Sequence, residues 1–89
     1  MHGTETINVP DGKLVRVQAT YDDEIESVTI TGDFFLEPPA ARADLEAAIE
    51  GHSTDVTTAE LEAAIAAVDA TLIGFSASDL AEATAEVIR

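Results

Sequence analysis

Between Leu14 and Tyr21 apolar and polar residues alternate. Val15, Val17, Ala19 and Tyr21 fall on one side of the chain, Arg16, Gln18 and Thr20 on the other. A side-chain period of two with β-branched residues is what a half-buried strand demands. Thr4 to Val9 reads as a preceding strand, ended by the turn-forming Pro10-Asp11-Gly12. Beyond the Asp22-Asp23 turn, Glu26, Val28 and Ile30 alternate with Ser27, Thr29 and Thr31. Short turns make such strands antiparallel neighbours. The first third therefore predicts a three-stranded meander with one apolar face and one threonine-rich, solvated face.

The period then changes. Pro38 and Pro39 suit a first helical turn, where a missing N–H costs little. Ala41, Leu45, Ala48 and Ile49 repeat at helical spacing, and Gly51 is placed to stop the helix. Thr57 with Glu60 has the capping-box spacing. It opens a second helix with Leu61, Ala64, Ile65 and Val68 on one face. Ala70 to Phe75 is a short apolar run that reads as a fourth strand. Ser76 with Asp79 caps a last helix, whose stripe is Leu80, Ala83, Thr84, Val87 and Ile88. The predicted order is β-β-β-α-α-β-α. This is an α+β two-layer domain over residues 1–89, with three helices packed on one face of the sheet. Alanine-rich helices bury little area each, so the few aromatics are expected to carry disproportionate weight.

Charge narrows the function classes. Eighteen acidic residues oppose four basic ones, a formal net charge of −14. Lys13 is the only lysine, and the arginines are Arg16, Arg42 and Arg89. Such a surface repels phosphate backbones and anionic headgroups, which argues against nucleic acid and membranes as partners. A basic partner protein would account for the charge, and so would adaptation to a salty cytoplasm. The spread of acid from Glu5 to Glu86 and the near absence of lysine fit the halophilic reading better. The start of the chain has neither a basic n-region nor an apolar run, so a cytoplasmic protein is expected.

Candidate chemistry is sparse. The chain has no cysteine, which removes disulfides and a thiol nucleophile. His2 and His52 stand apart and lack metal-ligand spacing. Asp22-Asp23-Glu24 reads as turn chemistry. No glycine-rich phosphate loop is present. The segment that stands out is Gly32-Asp33-Phe34-Phe35, two adjacent aromatics after a strand. Successive side chains of an extended backbone point in opposite directions. Both rings can be covered by the first helix, or one can face outward as an anchor for a partner. Asp33 is a candidate to orient the loop through backbone amides. Lys13 reads either as a solvated turn residue or as a contact to an anion across an interface.

At these residues the sequence resembles the C-terminal accessory domain of lipoate-protein ligases, and the separate small subunit of the split archaeal enzyme. The matching stretches are Gly12-Lys13-Leu14-Val15-Arg16-Val17 and Ile30-Thr31-Gly32-Asp33-Phe34-Phe35, then Asp44-Leu45-Glu46 to Gly51, and Ile73-Gly74-Phe75-Ser76 to Asp79-Leu80. The resemblance spans nearly the whole chain, and its bounds are those expected of a free-standing subunit. It implies a fold similar to the SufE/NifU scaffold group, although the lack of cysteine argues against sulfur transfer. It implies an accessory subunit with no catalytic residue, required by a separate catalytic subunit to activate lipoate to lipoyl-AMP. The lipoyl group then passes to a lysine of an acceptor, in 2-oxoacid dehydrogenases or the glycine cleavage H protein. The complex would use ATP, Mg and lipoate, none of them bound by this chain alone. Lys13, Gly32, Asp33, Phe34 and Phe35 are the implied contacts to the catalytic subunit. The acidity departs from the family pattern, and apolar contacts tolerate salt better than ion pairs, which favours a Phe as anchor. The alternative is a self-associating binding module without a ligase partner.

Overall fold

The computed structural model describes residues 1–8 and 14–88; the predicted Pro10-Asp11-Gly12 turn lies outside them. Strands β1 (His2–Asn8), β2 (Leu14–Tyr21) and β3 (Ile25–Gly32) form an antiparallel sheet in the order β1-β2-β3. The register places Glu5 and Ile30 beside Val17, and Thr6 and Thr31 beside Arg16. Val15, Val17, Ala19, Val28 and Ile30 are buried on one face. Thr4, Thr6, Gln18, Thr20, Ser27 and Thr29 share the opposite, exposed one with Arg16. The alternation around Leu14–Tyr21 is thus the alternation of the sheet itself.

Glu26 departs from the predicted pattern. The β2–β3 register shifts between Thr20 and Tyr21, which pair with Ser27 and Ile25 and leave Glu26 without an opposite residue. Such a bulge re-phases the strand. Ile25 is buried in its place, and Glu26 is exposed.

Helices α1 (Ala41–Ile49), α2 (Thr58–Ala66) and α3 (Ala77–Val87) cover the buried face. Helix α3 lies on β1 and β2, α1 lies along β3, and α2 packs against both helices. The two predicted capping boxes, Thr57 with Glu60 and Ser76 with Asp79, are both formed. Gly51 ends α1 at φ +90°, and its N–H donates to the Ile25 carbonyl at 2.8 Å. Thr84 is fully buried, its hydroxyl donating to the Leu80 carbonyl one turn back at 2.8 Å. The core is aliphatic: Ile25, Ile30, Leu45, Ile49, Leu61, Ile65 and Leu80 are its largest fully buried side chains. Of the four aromatics only Phe75 is buried, contrary to the weight expected of them.

The fourth predicted strand is present as β5 (Thr71–Ile73), but it does not extend the meander. It pairs antiparallel with β4 (Phe35–Glu37), a three-residue strand that the periodicity does not predict. The element order is therefore β-β-β-β-α-α-β-α, and the α+β class stands. Among the described residues no helix is long and apolar enough to cross a membrane.

A free sheet edge invites other strands. On β3 that edge is occupied by α1. The Glu46 carboxylate accepts from the Ile30 N–H at 2.8 Å, and Glu50, one turn on, accepts from the Val28 N–H at 2.9 Å. The Ile25 N–H donates to the His52 carbonyl at 2.8 Å. Two acidic side chains thus stand in for a fourth strand. Removing either acceptor leaves a partly buried N–H unpaired, which costs about 1–3 kcal/mol. Glu46→Ala and Glu50→Ala should each lower the urea midpoint by that measure, with Glu46→Gln recovering most of the loss. Midpoints indifferent to all three would mean water serves the edge equally well.

Candidate functional site

Gly32 closes β3 with φ +150°, a conformation that L side chains rarely adopt. A Cβ there would run into the Leu14 carbonyl group, with its carbon at 2.9 Å. The next N–H, that of Asp33, donates to the same Leu14 oxygen at 2.9 Å. The chain stays pinned to β2 as it leaves the sheet. Among the described residues the Asp33 carboxylate has no hydrogen-bond partner, and the tie to β2 is made by its backbone N–H.

The two aromatics then part. Phe34 is half-buried, its ring 4.5 Å from that of Phe75 at an interplanar angle of 52°. This tilted contact suits the ring quadrupoles. Phe35 opens β4 and is 67% exposed, whereas Leu36 beside it is 9% exposed. Ile73 of β5 sits directly across from Phe35 and is 41% exposed. Phe35 and Ile73 are thus a cross-strand pair of bare apolar side chains. Of the two orientations open from sequence, the fold adopts the one in which a ring faces outward, and Phe35 is that residue.

Open grooves flank Phe35. One, of about 500 Å³, runs between the end of β3 and the start of α1, walled by Gly32, Phe34, Phe35, Pro39 and Arg42. The other, of about 740 Å³, lies over Glu37, Pro38, Thr71 and Ile73. The structure therefore brings together Gly32, Phe34 and Phe35 of the sequence-predicted site, with Asp33 in the connecting turn. Lys13 lies outside the described residues. Ile73 and Arg42 were missed. The signal for Ile73 was its place in the apolar run 70–75, but only the β4–β5 pairing puts it beside Phe35.

Among the described residues no three His, Asp or Glu side chains gather as a metal site would need. The carboxyl of Glu60 is held below its ordinary value by the Thr57 backbone and side-chain hydrogen bonds. That contribution to the cap is present above the unfolded carboxyl range and fades as pH falls through the lowered value. It belongs to the start of α2, not to the grooves. A bare aromatic–aliphatic pair on a short two-stranded edge, bordered by proline, is suited to binding a protein surface.

No protein-family model matches the chain, and no curated protein matches it by sequence. Among solved structures it matches a chain from the structural analysis of an archaeal lipoylation system, a bi-partite lipoate protein ligase and its E2 lipoyl domain, from Thermoplasma acidophilum. The TM-score is 0.74 at 21% identity, covering 100% of this chain and 96% of that one. Over its whole length, then, this chain has the fold of a component of an archaeal bipartite lipoate protein ligase system.

Proposed function

We propose that this chain is the non-catalytic accessory subunit of a two-part lipoate-protein ligase, acting in the cytoplasm. The observation that carries the reading is the end-to-end likeness to a component of the Thermoplasma system. The bare Phe35–Ile73 pair supports it, because a subunit with this role needs a docking surface more than a reactive site. The catalytic partner would bind lipoate, ATP and Mg and make lipoyl-AMP. It would then pass the lipoyl group to a lysine of an acceptor domain, in a 2-oxoacid dehydrogenase or the glycine cleavage H protein. Docked on it, this chain would order the substrate loops and shield the adenylate from water.

Lipoate-dependent ATP–pyrophosphate exchange by the catalytic chain, with and without this one, tests the reading. Exchange should appear, or rise by at least tenfold, only on mixing. Equal exchange in both samples would remove the function. A chain that forms a stable homodimer through the same face would favour the self-associating module instead.

The acidity enters as a second, separable proposal, that of a halophilic protein. At molar salt the Debye length is about 3 Å, so the repulsion of a −14 chain is screened. The melting temperature should therefore fall as salt is lowered from molar to dilute. A flat profile would sink that proposal and leave the ligase reading intact.

A further inference from the structure

Both arginines among the described residues, Arg16 and Arg42, are exposed, in a chain with 18 acidic residues. Neither makes an ion pair with a carboxylate among the described residues. In so acidic a molecule that needs a reason. The helical i+4 neighbour of Arg42 is Glu46, the spacing at which an ion pair would form. Glu46 instead serves the Ile30 N–H on the edge of β3. Arg16 lies in a cross-strand row with Thr6 and Thr31, and its Nε donates only to the Thr6 hydroxyl, at 3.4 Å. The next row, Thr4, Gln18 and Thr29, has no carboxylate either.

These features are continuous with the docking site. Thr31, beside Arg16, also walls the groove next to Phe35, and Arg42 belongs to the same wall, which contains no acidic residue. The surface thus has an apolar centre, Arg42 on its wall and Arg16 one strand from it, neither ion-paired among the described residues, with Asp33 and Glu37 at its margin. We propose that Arg16 and Arg42 are the cationic contacts of this surface, and that they fit a partner face carrying carboxylates around an apolar side chain. The proposal deepens the ligase reading and rests on it, with the lipoate-adenylating chain as the occupant. An acidic partner is repelled by most of this molecule, so approach is favoured where the arginines lie, which sets orientation as well as affinity. At high salt the long-range repulsion vanishes, while pairs made at contact and shielded from water are screened much less.

Calorimetric titration of the full chain into the purified lipoate-adenylating chain from the same cells tests this. Arg42→Gln, Arg16→Gln and Ala63→Glu each change the net charge by one unit. Ala63 is exposed on α2, outside the grooves. Each arginine variant should weaken binding by about tenfold, with the Ala63→Glu chain within twofold of the wild type and all urea midpoints unchanged. Binding indifferent to both arginine variants would overturn the proposal while leaving the ligase reading in place. Equal weakening by Ala63→Glu would overturn it too, because net charge alone would then be at work. A wild-type chain that does not bind at all would remove the ligase reading, and this inference with it. A self-associated chain that Arg42→Gln dissociates would overturn the chosen occupant in favour of a second copy.

Discussion

Gly32→Ala should lower folding stability by about 4 kcal/mol, the sum of a strained backbone and an overpacked contact. The added methyl meets main chain, not the far end of a flexible side chain. The Leu14 carbonyl group occupies the space, and the Phe34 ring lies 3.1 Å from the new atom. Leu14 cannot retreat without breaking its bond from the Asp33 N–H. A domain of this length commands roughly 4–13 kcal/mol in all, so at the lower end of that range the variant would be largely unfolded. Gly51→Ala is the internal control. Its φ is +90°, but nothing lies within 4 Å of a Cβ there, so only the backbone penalty of about 1–2 kcal/mol applies. Urea unfolding of the two variants side by side separates strain from collision. Equal losses would mean that β2 is not packed against Gly32 as described.

Phe35→Ala should do the reverse, leaving the fold alone and disabling the proposed docking. With two thirds of its surface in solvent, Phe35 contributes little to folding, and the urea midpoint should move by no more than about 0.5 kcal/mol. As the apolar centre of an interface it should count for at least about 2 kcal/mol of binding, roughly thirtyfold in Kd for the catalytic chain. Phe34→Ala supplies the contrast. Its ring is packed on Phe75, so truncation should cost about 2–3 kcal/mol of stability. If Phe35→Ala activated the catalytic chain as well as the wild type, docking would lie on another face, and the exposed pair would need a different explanation.

The reach of the sequence can be traced residue by residue. Strand β2 was legible because its burial alternates without interruption. Both capping boxes were legible because they are local, three residues wide. Glu26 was misplaced because a bulge resets the strand's parity, and no residue near it announces the bulge. Strand β4 was illegible for another reason. Three residues are too few to show a period, and what makes them a strand is a partner much later in the chain. The same holds for Glu46 and Glu50, whose spacing looks like an ordinary solvated helix face until α1 is laid along β3. Of the site, the segment from Gly32 to Phe35 could be named from its composition. Which ring faces water could not, since that depends on Phe75 being there to receive Phe34.

The pairing of Phe35 with Ile73 has one more consequence. The two side chains come from opposite halves of the chain and stand together only through the β4–β5 register. Closing so long a loop is entropically unfavourable until the intervening helices are packed. Neither half can therefore display the patch by itself. A nascent or truncated copy would expose one stray phenylalanine rather than an apolar pair.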